Sequence, residues 1–227
     1  MSMRIAVLLS CVVIAVATAA PAAAQPGVIE VREDAFVGSH PGTLSVGEDG
    51  IVFEARDPGH SRRWAIDEVR QLRVESSRKI VVETYRSRGW RGFGHSQTVV
   101  YRPAAPVPAN WVAAALASTT RPVVTSVIPP RLAPARFRVT VNHEGTDTRG
   151  VLALYEDGLA FETPRDGFAR FWRFADLDTA LEQDRYRLLL SIYEGPRERV
   201  RPFLFTLVGD MPTGLYDELW RRANRRP

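Results

Sequence analysis

In a chain of 227 residues, 30 basic side chains stand against 26 acidic ones, and Lys79 is the only lysine. The basic residues alternate with Asp and Glu and build no long stripe, which argues against a nucleic-acid partner. The single cysteine, Cys11, lies in an apolar leader, so the chain that follows excludes disulfides, thiolate catalysis and cysteine-ligated metals.

Residues 1–24 read as a signal peptide. Arg4 gives a short positive start, Ile5 to Ala20 an apolar stretch, and Ala22-Ala23-Ala24 a small-residue cleavage site before Gln25. The apolar part, about 16 residues, is short for a bilayer span of roughly 20. A retained signal anchor is the alternative. Leu8-Leu9-Ser10-Cys11 is faintly similar to a lipoprotein box, but the apolar stretch continues well past Cys11, where a lipobox should end it. The expectation is an exported protein, periplasmic or secreted after cleavage near Ala24.

The remainder is written twice. A shift of about 108 positions lays Gly42 to Glu54 on Gly150 to Glu162, Trp64 on Trp172, Glu68-Val69 on Asp176-Leu177 and Tyr85 on Tyr193. Repeats of this length are duplicated domains, placed at 25–118 and 136–227. Between them, residues 119–135 carry Pro122, Pro129, Pro130 and Pro134. Prolines at that density should bar helix and central strand and favour a semi-rigid connector. Its Val123, Val124, Val127 and Ile128 hint that part of it packs against a domain.

Within each repeat the pattern is mostly β. A first run covers Val28 to Val31, matched by Phe137 to Val141. Leu44 and Val46 then alternate into Asp49-Gly50 and out through Ile51 and Phe53; the second copy repeats this around Asp157-Gly158. Asp-Gly between alternating runs predicts a hairpin with a type I′ turn. Further strands are expected around Trp64 and Ile66, Ile80 to Tyr85 and Thr98 to Tyr101, with counterparts at Trp172 and Phe174, Leu188 to Tyr193 and Phe203 to Leu207. Each copy ends in a helical stretch, from Pro108 to Ala117 and from Thr213 to Ala223. The second has Asp217 and Glu218 early and Arg221-Arg222 late, which suits the helix dipole.

This series, with its Trp-x-x-x-acidic-aliphatic element (Trp64 with Glu68-Val69, Trp172 with Asp176-Leu177), resembles the bacterial pleckstrin-homology-like and GRAM-like domains. The resemblance covers nearly the whole mature chain, twice. It implies a mainly β fold with α, an α+β chain of two partly open antiparallel β-barrels, each closed by its C-terminal helix. The basic phosphoinositide cradle of eukaryotic relatives is missing: its place holds Arg32-Glu33-Asp34-Ala35-Phe36-Val37 and Asn142-His143-Glu144-Gly145-Thr146-Asp147. Lipid head-group binding therefore does not transfer.

The repeats differ most between Tyr85 and Val99. There three arginines and three glycines accompany Trp90, Phe93 and His95. Large rigid aromatics beside planar cations make contact sites, so Arg88, Trp90, Arg91, Phe93 and His95 are the candidate binding residues. Trp64 and Trp172 read as core anchors. Gly59 and Arg62 match Gly167 and Arg170, which suggests a shared turn in place of a shared site. His40, His60, His95 and His143 lack metal-ligand spacing, so no metal site and no cofactor are expected. Ser76-Ser77-Arg78-Lys79 spells Ser-x-x-Lys but leads into a strand, without the companion motifs. The expectation is no enzyme but an exported binding or interaction module, its partner an unidentified protein or envelope component. The alternatives are a peripheral protein touching anionic lipid through the aromatic loop and the tail arginines Arg221-Arg222 and Arg225-Arg226, and a hydrolase assembled between the domains.

Overall fold

The computed structural model describes residues 27–35, 38–85, 97–120, 122–143, 145–195 and 199–224. In the first repeat the strands are β1 (Gly27–Asp34), β2 (Ser39–Gly47), β3 (Gly50–Ala55), β4 (Arg62–Trp64), β5 (Val69–Ser76), β6 (Lys79–Thr84) and β7 (Gln97–Pro103), followed by α1 (Ala109–Ser118). A short β8 (Val123–Thr125) comes next. The second repeat holds β9 (Ala135–His143), β10 (Thr146–Leu154), β11 (Gly158–Glu162), β12 (Arg170–Arg173), β13 (Leu177–Asp184), β14 (Arg187–Gly195) and β15 (Arg199–Leu207), then α2 (Leu215–Ala223).

The expected hairpins form in the register that puts their apolar residues on one face. Leu44 faces Phe53 and Val46 faces Ile51; Leu152 faces Phe161 and Leu154 faces Leu159. Phe53, Trp64, Tyr101 and the α1 residue Trp111 meet in one core, and Phe161, Trp172, Phe205 and the α2 residue Leu219 in another. Trp64 and Trp172 are both buried.

Two separate barrels, each closed by a C-terminal helix, are not what forms. Among the described residues all fifteen strands belong to one sheet, ordered β13-β14-β15-β9-β10-β11-β12-β8-β5-β6-β7-β1-β2-β3-β4. The strand order is the same in both copies, but among the described residues no ladder joins β4 to β5 or β12 to β13, so neither copy closes on itself. The described residues are mostly β with two short helices, each packed against its core.

The reason lies in the connector. Proline was expected to bar a central strand there, yet β8 is one: it runs parallel to β5 and meets β12 through Thr125 opposite Phe171. Pro122 and Pro129 bracket a Val-Val-Thr run that keeps its own N–H groups, so the ladder survives between them. β8 thus welds the outer strand of each copy into one sheet. Around the weld a third cluster joins Ala153, Tyr155, Ala160 and Phe171 of the second repeat to Leu116, Ile128 and Ala133. Arg131 of the connector lies over the Tyr155 and Phe171 rings and donates to Asp157.

Candidate functional site

The residues singled out in the sequence, Arg88, Trp90, Arg91, Phe93 and His95, lie in 86–96, outside the described residues. The described residues instead converge on the matched arginines, Arg62 and Arg170. Each sits on the fourth strand of its repeat, opposite Phe53 or Phe161 in the neighbouring strand. They share more than a turn: each holds a carboxylate that is almost fully buried.

In the first repeat the carboxylate is Glu33, whose Oε1 lies 3.0 Å from Arg62 Nε and 2.9 Å from Nη2. Glu33 also sits in register with His40 on one side and Tyr101 on the other. Its Oε2 and the Tyr101 hydroxyl are buried with no hydrogen-bond partner among the described residues. Burial, and then the Glu33 charge, hold the Tyr101 hydroxyl far above the usual tyrosine range. The His40 and His60 rings stack at 3.6 Å and 14°, with Asp57 3.5 Å from His60 Nε2. Spacing alone missed this pair, because β2 and the turn before β4 bring together residues far apart in sequence. Among the described residues no group of three or more metal-ligating side chains forms.

In the second repeat the carboxylate comes from a different strand. Glu194, at the end of β14, takes Arg170 Nε on Oε1 and Trp172 Nε1 on Oε2, both at 2.8 Å. Arg170 also donates to the backbone oxygens of Gly167 and Ala169. The place that Glu33 fills in the first repeat belongs here to Val141, and a cleft of about 300 Å³ opens. Phe161, Phe168, Trp172 and Phe203 wall it, and Arg170 and Arg201 are its cations. Arg165 lies 3.6 Å over the Phe168 ring, outside that wall.

The cleft borders the weld between the repeats. Gln71 Nε2 of β5 donates to the backbone oxygen of Glu194 at 3.2 Å. Gln71 Oε1 accepts from Arg73, which also reaches Glu83 at 3.3 Å. Asp166 accepts from the Ser77 N–H, and a Cβ on Gly167 would stand 3.3 Å from the Glu75 oxygen. Arg173 donates to the Leu116 and Thr119 oxygens and pairs with Asp176 at 2.9 Å. Burial pushes the Asp176 carboxyl up, and Arg173 pulls against it. A buried polar chain thus runs from the Arg170 clamp into the first repeat.

The tail arginines are less available than their sequence suggests. Arg221 and Arg222 both pair with Glu218, and Arg222 also donates to the Tyr155 oxygen at 2.8 Å. Arg225 and Arg226 lie outside the described residues.

No family model matches this chain, and no curated protein matches it either. Among solved structures, the Spt16D Pob3N heterodimer is 9% identical, covers 82% of this chain and 98% of its own, and reaches a TM-score of 0.30. The Bacillus subtilis inhibitor of motility (MotI/DgrA) is 11% identical, covers 87% and 97%, and reaches 0.15. At these scores neither likeness carries an argument about activity or ligand.

Proposed function

We propose that the protein is an exported, non-catalytic binding module in which the two repeats act as one scaffold and the cleft of the second repeat receives an envelope component. The observation that carries this reading is the Arg170–Glu194–Trp172 clamp at the edge of an aromatic cleft. A guanidinium fixed by a buried carboxylate is pre-oriented, and aromatic walls beside it are the make-up of a small-ligand site. The neighbouring weld through β8 keeps that geometry rigid, which lowers the ordering cost of binding.

Envelope extract passed over immobilised residues 25–227 tests it, with Phe168→Ala and Trp90→Ala/Arg91→Ala as parallel baits. The expected result is material retained by the natural chain and the loop variant and released from Phe168→Ala. Equal retention by all three folded proteins would overturn the cleft as the contact site. Loss confined to the loop variant would move the site to residues 86–96.

A further inference from the structure

In the first repeat one ring is stacked on another: His40 lies on His60 at 3.6 Å and 14°. At the constant offset His40 becomes Thr148, His60 becomes Phe168 and Glu33 becomes Val141. The strand registers agree, since His40 stands opposite Glu33 and Thr148 opposite Val141. The second repeat therefore keeps a ring at the His60 position but loses both the ring stacked upon it and the neighbouring acid. A cleft opens at that place, with Val141 and Phe168 in its wall.

We propose that the cleft of the second repeat binds a small uncharged aromatic molecule, its ring stacked on Phe168 as His40 is stacked on His60. This rests on the reading of the cleft as the binding site and names the class of ligand it takes. The cations of the cleft are already engaged: Arg170 is paired with Glu194 and with two backbone oxygens, and Arg201 has an interaction of its own. An ion entering would leave water without gaining a free counter-charge, which selects an uncharged ligand. Phe161, Phe168, Trp172 and Phe203 stand round the opening, and rings of this kind favour another ring through offset or edge-on contact. Arg165 packs on Phe168 at 3.6 Å and is not part of the cleft wall, so it holds that ring in place without filling the cleft. Thr148 is too short to supply the stacked ring that His40 supplies in the first repeat. About 150 Å³ suffices to hold benzene. The cleft, at about 300 Å³, has room for one substituted ring.

The probe is 4-methylphenol, set against 4-methylcyclohexanol, which keeps the hydroxyl and the size but has a puckered ring. Benzoate and benzylamine add a charge of either sign to the flat ring. Binding to residues 25–227 near neutral pH is followed by calorimetry. 4-Methylphenol is expected to bind saturably, 4-methylcyclohexanol at least about threefold more weakly, and both ions at least about tenfold more weakly. Phe168→Leu keeps an apolar wall at a half-buried position but removes the stacking face. It is expected to weaken 4-methylphenol by about threefold to tenfold and to leave 4-methylcyclohexanol unchanged. Thr148→His restores the first repeat's ring and is expected to abolish binding; because Thr148 is buried, Phe168→Leu carries the test if that variant fails to fold. Equal binding of 4-methylcyclohexanol or of either ion, full affinity in Phe168→Leu or in folded Thr148→His, or no saturation by about 10 mM 4-methylphenol would each overturn the proposal. Cleft-dependent capture of envelope material would stand through any of these, so the two readings fail separately.

Discussion

Gln71 and Glu194 come from different repeats, yet the Gln71 amide donates to the Glu194 backbone oxygen at 3.2 Å in a fully buried setting. Glu194 is also the residue that fixes Arg170 and Trp172 at the cleft. One strand end therefore serves both the weld and the site. Gln71→Leu keeps the volume but leaves the Glu194 oxygen and the Arg73 guanidinium without this partner. An orphaned buried acceptor costs about 1–3 kcal/mol, and urea unfolding is expected to show that loss. An unchanged urea midpoint would mean that the contact contributes nothing to the folded state.

Thr125 is the point where β8 touches both repeats: it faces Val74 in β5 and Phe171 in β12. Its hydroxyl further accepts from the Val127 N–H at 3.1 Å and donates to the Val127 oxygen at 2.8 Å. Thr125→Pro removes a backbone donor inside a central strand, where proline is not tolerated. The natural chain is expected to unfold in one cooperative step by tryptophan fluorescence and far-ultraviolet circular dichroism. The variant is expected to unfold in two, one for each core. A single transition in both chains would show that the repeats are coupled by something other than β8.

Much of the fold was legible in the sequence, and what escaped follows a physical pattern. Leu44, Val46, Ile51 and Phe53 sit a few residues apart, so alternation and the Asp-Gly dipeptide suffice to place their hairpin. β8 escaped because it is a three-residue run among prolines, and its only support comes from two strands distant in sequence. The matched pair Arg62 and Arg170 was visible, but their meaning was not. Glu33 lies 29 residues before Arg62 and Glu194 lies 24 after Arg170, so the repeat alignment matches the cations while their acids stand on non-equivalent strands. The His40–His60 stack escaped for the same reason.

The two Asp-Gly turns also differ from their common reading. Gly50 has a φ of 130°, whereas Gly158 is not in the positive-φ region, so only the first copy needs glycine for its backbone angle. What the two share is a close approach. A Cβ on Gly50 would stand closer than 3.0 Å to the Trp64 oxygen, and one on Gly158 equally close to that of Trp172. Gly158→Ala must push β11 away from β12, and forced overpacking of this kind costs about 1–3 kcal/mol. Reduced urea stability is the expected outcome, with Trp172 fluorescence altered because its strand moves. Full stability would mean that β12 yields without cost.

Tyr155 ties the weld to pH. Its hydroxyl donates to Glu162 Oε1 at 2.7 Å, and its ring meets Phe171 edge-on at 6.1 Å. Burial first, then the Glu162 hydrogen bond and charge, push the hydroxyl up from 10.0 to about 12, against Arg136 and Arg131. Between those values the folded chain keeps a proton that the unfolded chain has released. The contribution is therefore fully present below pH 10.0 and is lost as pH rises towards about 12. Tyr155→Phe removes this titration and is expected to flatten the alkaline fall in urea stability across that window, with one fewer late-ionising tyrosine in the ultraviolet titration. Tyr101, still more strongly raised, keeps part of the fall in the variant. Identical alkaline limbs in the two chains would show that Tyr155 ionises in the folded protein as it does in the unfolded one, and that its bond to Glu162 holds no proton in place.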